Sequence, residues 1–137
     1  MNEKLLVTDT HPILYFFCDG GKRLGKKALV AFQEALAGRS TSIFVPIPAL
    51  WEISLLVESG NIELGKSFSD WIEELFKYPS FNPVPFEIEA VKIFHDVRYH
   101  NDPFDRAIVA TALQMGLPLI TNDGKMHANN PCHLFWD

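Results

Sequence analysis

The sequence has 137 residues, of which 47% are apolar and 21% charged, with a net charge of −5. That length suits a single domain, and eleven Phe and three Trp supply a core that needs no staples. An acidic chain is a poor match for a protein that holds nucleic acid through phosphate contacts alone. It leaves open an enzyme whose carboxylates recruit divalent cations. Cys18 and Cys132 lie far apart with no motif around them, and "MNEKLLVTDT" has no signal-peptide pattern. The expectation is reduced thiols in a cytoplasmic protein. Apolar runs such as "PILYFFC" are too short to cross a bilayer.

Taken in order, "KLLVT" (4–8) is a short run suited to a buried strand, ending at Asp9. "THPILYFF" follows as a short helix with Thr10 at its cap. Residues 21–39 place Leu24, Ala28, Leu29, Phe32, Ala35 and Leu36 at helical spacing, closed by Gly38. "TSIFVP" (41–46) is a second strand. Residues 48–60 form a helix with Pro48 in its first turn and Gly60 at its end. An amphipathic helix over 67–79 stops at Pro79, and the prolines of "FNPVPF" (81–86) suit an edge strand. Helices over 87–100 and 103–115 come next, the second ended by Gly116. "LPLIT" (117–121) and "HLFW" (133–136) are the last strands.

Strands alternating with helices predict an α/β fold: a three-layer α/β/α arrangement around a mostly parallel sheet of four to five strands, as one domain over 1–137. Sites in such sheets form outside the carboxyl ends of the strands. Asp9 directly follows the first strand and Asp123 follows "LPLIT" by one residue, so both acids are expected at that edge.

Each acid also has a purely structural explanation. In "HNDPFDRAIVATAL" (100–113), Asp102 before Pro103 is an N-cap. Asp105 is an acid in the first turn, but it precedes Ile108, Val109 and Ala112 on the inward side and should project toward the sheet edge. Glu52 sits mid-helix between Trp51 and Ile53, where an unpaired carboxylate is costly; it needs solvent or a positive partner such as a lysine. Asp123 lies in "NDG", which is turn chemistry. Together, Asp9, Glu52, Asp105 and Asp123 form a constellation suited to Mg²⁺ or Mn²⁺, which take carboxylate oxygens and waters. The histidines and cysteines show no zinc spacing. Two carboxylates about 5 Å apart repel by roughly 3 kcal/mol at an effective dielectric of 20. Four that converge therefore call for protonation or a cation.

"LLVTDTHPIL", "PALWEISLLVESGNIEL", "HNDPFDRAIVATALQMGLPLITND" and the closing Trp136, in this order, resemble PIN-domain nucleases, and more narrowly the VapC-like toxins of toxin–antitoxin pairs. The resemblance implies that Asp9, Glu52, Asp105 and Asp123 surround divalent metal and hydrolyse an RNA phosphodiester. Asp9, Asp105 and Asp123 would hold the metal, and Glu52 would bind it through water or orient the attacking water. Asp102 remains a structural cap. Thr121 is a candidate to hydrogen-bond a carboxylate or is an ordinary strand-end threonine. Arg106 either faces substrate phosphate or is a solvated charge or a bridge to an acid such as Asp102, and His100 is a candidate to touch RNA. The basic run Lys22, Arg23, Lys26 and Lys27 is either an RNA path or a solvated helix face. The resemblance also implies a homodimer and a cognate antitoxin, with Tyr15 and Phe16 either forming its groove or lying in the core.

The main alternative is a catalytically inactive PIN-fold module that binds RNA or protein; four retained acids weigh against it. A phosphatase of the haloacid-dehalogenase kind needs a second Asp two residues after the first, and "Asp9-Thr10-His11" lacks it. The residues do not decide between RNA and DNA.

Overall fold

The computed structural model describes residues 3–99 and 101–137; His100, the candidate RNA contact, lies outside them. The described chain runs β1 (Lys4–Thr8), α1 (Thr10–Asp19), α2 (Lys26–Leu36), β2 (Thr41–Pro46), α3 (Ile47–Glu58) and α4 (Phe68–Leu75). It continues through β3 (Phe81–Val84), α5 (Ile88–Asp96), α6 (Pro103–Met115), β4 (Leu119–Ile120), α7 (Gly124–Asn129) and β5 (Leu134–Phe135). The five strands form one sheet in the order β3-β2-β1-β4-β5, with every pairing parallel. As expected, β3 is an edge.

Alternation along the strands feeds two cores. Leu6, Ile43, Val45 and Ile120 join Ile13, Phe32, Ile53 and Trp71, from α1 to α4. Val7 and Leu119 join Val97, Ile108, Val109 and Met126 on the other side, with Phe44 packed against them. The sheet is thus buried on both faces, which is why its central strands read as apolar runs. Packing of α3 against both α1 and α6 gathers three helices at the carboxyl edge of the sheet. That edge carries the acids.

Several boundaries differ from the sequence reading. The first helix is capped by Asp9, whose side chain accepts from the Thr10 N–H, so Thr10 is inside the helix. The second helix starts at Lys26, not at residue 21: Gly20 and Gly21 hold φ of 74° and 80°, outside helical space, and Gly25, extended at φ −63° and ψ 162°, is its N-cap. Helix α4 stops at Leu75, ahead of Pro79, and the chain turns through 76–80 into β3. Helix α5 stops at Asp96, since Val97 is extended (φ −86°, ψ 100°). Helix α6 matches its expected span and ends on left-handed Gly116. The short helix α7 was not foreseen: six residues that include a Gly and an Asn carry too little periodicity to announce it.

Candidate active site

Asp9 is set first, by the backbone. Its N–H donates to the Ile120 carbonyl (3.0 Å), extending the register in which Thr8 faces Ile120. One step further along both strands, Asp9 meets Thr121. The Thr121 hydroxyl donates to Asp9 Oδ2 (2.8 Å), and the Thr10 N–H donates to Oδ1 (2.8 Å). Asp9 is 5% exposed and Thr121 fully buried. Burial pushes the Asp9 carboxyl up from 3.8 to about 6. The Thr121 and Thr10 hydrogen bonds act against that rise, and the charge of Glu52 adds to it.

The other acids arrive from three more elements. Glu52, on α3, accepts a hydrogen bond from the buried Thr10 hydroxyl, so Thr10 donates to both acids, its N–H to Asp9 and its hydroxyl to Glu52. The lysine partner considered for Glu52 is not formed: among the described residues, no ion pair involves it. Asp102 caps α6, accepting from the N–H groups of Phe104 (2.8 Å) and Asp105 (3.1 Å). Asp105 follows in the first turn of that helix. Asp123 takes a hydrogen bond from the Met126 N–H (2.9 Å) as the cap of α7, and its own N–H donates to Thr121 Oγ1 (3.0 Å). The "NDG" stretch is therefore a helix start and not a free turn.

All five acids line one cleft of about 290 Å³, together with His11, Pro12, Tyr15, Thr121 and Asn122. Electrostatics register the crowding. Burial, then the charges of Asp9, Asp102, Asp123 and Glu52, lift the Asp105 carboxyl from 3.8 to about 8. Burial and the charges of Asp105, Asp123 and Asp9 also hold the Tyr99 phenol above its usual range. Among the described residues, no three His, Cys, Asp or Glu side chains close into a ready-made metal cage. The donors are carboxylate oxygens around a cavity large enough for water, and Mg²⁺ is held in that manner, through one or two carboxylates and several retained waters.

Of the remaining sequence candidates, only Tyr15 lines this cleft among the described residues. Arg106 points to α5: Nε donates to the Val97 carbonyl (2.6 Å), Nη2 to the Phe94 carbonyl (2.9 Å), and the guanidinium lies 4.1 Å over the Phe94 ring. It satisfies carbonyls at the end of α5, where a substrate phosphate contact had been considered. Lys26 lines a shallow depression with Lys4, Lys27, Val30 and Phe135, and Lys22 is exposed on the preceding turn. Neither Lys22 nor Lys26 lines the acidic cleft. Phe16 packs against the core, stacked on Phe32 at 5.1 Å, whereas Tyr15 faces the cleft. Sequence reasoning missed Thr10 and His11 as parts of this site. The signal for Thr10 was its place directly after Asp9, facing a glutamate that lacked a partner.

A parallel α/β/α sheet with a cleft of five carboxylates at its carboxyl edge defines a class, and the family comparison agrees. Residues 6–130 match the PIN domain family, and the chain belongs to it. It is 23% identical over 124 residues to Ribonuclease VapC22 of Mycobacterium tuberculosis, covering 90% of this chain and 91% of that protein. Its fold is similar to VapBC2 from Rickettsia felis bound to a promoter DNA fragment (TM-score 0.69, 13% identity, 97% and 99% of the two chains). It is also similar to DNA-bound VapBC from Salmonella typhimurium (TM-score 0.66, 13% identity, 98% of each chain).

Proposed function

We propose that this chain, as a single PIN domain, is a divalent-metal-dependent endoribonuclease and the toxin of a toxin–antitoxin pair. One observation carries the reading: Asp9, Glu52, Asp105 and Asp123, from four separate elements, line one cleft in a PIN-family chain. RNA as substrate is supported by the similarity to a protein named as a ribonuclease. An antitoxin partner is supported by the likeness to toxin–antitoxin complexes. A homodimer fits the apolar stripe on α3, where Ile47, Trp51 and Leu55 are 42%, 62% and 42% exposed at four-residue spacing. No helix among the described residues is long and apolar enough to cross a membrane; the proposed compartment is the cytoplasm.

The donor set fits a hard cation. Crowded carboxylates that favour protonation when empty are stabilised by a divalent charge, and the cleft walls offer oxygen ligands. Asp9, Asp105 and Asp123 would hold Mg²⁺ or Mn²⁺. When bound, the ion supplies Lewis-acid polarisation of the scissile phosphate and lowers the pKa of the attacking water. The chain's own contribution is positioning. Thr121 and the Thr10 N–H fix both oxygens of Asp9. Thr10 Oγ1 fixes Glu52, which would bind the metal through water or orient the attacking water. Thr121 also holds the backbone that presents Asp123.

The test is Mn²⁺-stimulated cleavage of a fluorescent RNA, with Asp9→Asn and Asp105→Asn each expected to lose it. Equal cutting by both variants and the wild type under matched metal overturns the assignment.

A further inference from the structure

An acidic cleft repels the polyanion it is proposed to cut, so some cation must hold the strand at its rim. Arg106 is committed to α5, and Lys22 and Lys26 do not line the cleft. Arg23 does not line the cleft either, but it is fastened to a residue that does. The Arg23 guanidinium lies 4.1 Å over the ring of Tyr15, which lines the cleft. Its Nε donates to Asp19 Oδ2 at 2.8 Å. His11, Tyr15 and Asp19 follow one another at four-residue spacing along α1, so they share a helix face that begins inside the cleft. The His11 and Tyr15 rings are neighbours at 6.1 Å. Arg23 continues this row past the helix end, with its side chain 65% exposed. The Asp19 pair engages Nε, which leaves the guanidinium fork able to take a phosphate, and the Tyr15 stack removes part of the entropy cost of holding it ready.

We propose that Arg23 binds a backbone phosphate of the nucleic-acid strand beside the one that is cut, on a row formed by His11 and Tyr15 where the strand leaves the cleft. This rests on the nuclease reading above. The rings supply sequence-tolerant stacking surface and Arg23 the charge, the combination expected of a single-strand path.

The experiment measures Mn²⁺-supported cleavage of a single-stranded fluorophore–quencher RNA oligonucleotide by wild type, Arg23→Ala, Arg23→Lys and a charge-matched control, Lys92→Ala, on α5. Arg23→Ala is expected to raise KM ~10-fold, the size of one charge-assisted contact, with kcat within about twofold. The slope of log(kcat/KM) against log salt should fall in magnitude by about 0.7, the value for one phosphate on a single strand. Arg23→Lys should keep the slope and recover KM only in part, and Lys92→Ala should change neither. An unchanged KM and slope in Arg23→Ala, an equal effect from Lys92→Ala, or a loss confined to kcat and Tm overturns the proposal. Failure of the wild type to cut RNA would instead sink the ribonuclease reading. Fluorescence anisotropy with the same oligonucleotide then decides Arg23 separately: ~10-fold weaker binding by Arg23→Ala than by wild type supports it, and equal or unmeasurable binding by both overturns it.

Discussion

The Thr121 hydroxyl is shared between two acids: it donates to Asp9 Oδ2 at 2.8 Å while accepting from the backbone N–H of Asp123 at 3.0 Å. A single buried oxygen thereby couples the carboxyl end of β1 to the start of α7. Thr121→Val keeps the shape and removes that oxygen. Asp9 then loses the hydrogen bond that most opposes the effect of its burial, so its pKa should climb above about 6. The expected outcome is a fall in kcat/KM of ~10-fold at pH 7, with the acidic limb of the pH–rate profile moved to higher pH. Thr121→Ser should restore both. An unmoved limb in Thr121→Val would separate Thr121 from the ionisation of Asp9.

Arg106 makes the opposite kind of prediction. Its two hydrogen bonds to the carbonyls of Val97 and Phe94 and its stack on Phe94 tie the start of α6 to the end of α5. Charge-assisted hydrogen bonds contribute roughly 1.5–3 kcal/mol each and a cation–π contact roughly 0.5–2 kcal/mol, before solvent exposure discounts them. Arg106→Ala should therefore destabilise the fold by about 2 kcal/mol, read as a lower urea midpoint at unchanged m. KM for RNA should stay as in wild type. Lysine cannot reproduce the fork, so Arg106→Lys should rescue little.

The contrast between these two residues shows what was legible in the sequence. Strand-end positions are fixed by a parallel sheet, so Asp9 and Asp123 could be placed at one edge from the alternation of elements alone. The Asp102-Pro103 start and Gly116 stop gave α6 to the residue, because caps are local chemistry. The hydrogen bonds of Arg106 were not legible, because its partner carbonyls belong to another helix, whose end at Asp96 local periodicity did not mark. The Thr10–Glu52 contact spans 42 residues of sequence and depends on how α1 lies against α3. Helix α2 begins late because left-handed Gly20 and Gly21 and the extended cap Gly25 interrupt an apolar spacing that still looks helical.

A second long-range contact predicts an effect at Gly25. This residue precedes α2 and has no side chain to cap it; the Trp136 carbonyl accepts from the Ala28 N–H (3.0 Å), and Asp137 Oδ1 from the Lys26 N–H (3.3 Å). A Cβ at position 25 would stand 2.6 Å from the Trp136 backbone carbonyl oxygen and 2.7 Å from the Asp137 side-chain Oδ1, both inside van der Waals contact. Gly25→Ala should displace residues 136 and 137 and destabilise the protein by about 1–3 kcal/mol, the usual range for overpacking. Thermal melting checks this; a Tm equal to or above that of wild type would mean that the tail shifts at no cost.

Asp105→Asn tests the crowding of the cleft apart from catalysis. The Asp105 carboxyl sits at about 8, lifted by burial and then by its four acidic neighbours, so at pH 8 about half of the metal-free molecules carry that charge. Asparagine keeps the shape and removes the repulsion. With EDTA at pH 9, Asp105→Asn should melt several degrees above wild type, and at pH 5, where Asp105 is already protonated, the gap should close. A variant that melts below wild type at both pH values would show that the carboxylate contributes packing and not repulsion.

The same shifts set how metal and pH trade against each other. Asp9 and Asp105 both have folded pKa values raised above 3.8, to about 6 and about 8. A raised pKa means that the fold favours the protonated form, so this contribution to stability is complete below about pH 3.8 and is lost as pH rises through 6 and then 8. For Asp9, the rise corresponds to on the order of 3 kcal/mol between those limits. The metal-free protein should accordingly show a Tm that declines from pH 5 to pH 9. Metal binds only the deprotonated carboxylates, so its affinity should rise over the same window as protons leave. Saturating Mn²⁺ should leave Tm nearly unchanged at pH 5 and raise it most near pH 8, by an amount that grows with metal concentration. Melts across pH 5–9 with EDTA or Mn²⁺ measure both trends. If the stabilisation by Mn²⁺ were the same at pH 5 as at pH 8, the ion would be binding somewhere other than these two aspartates.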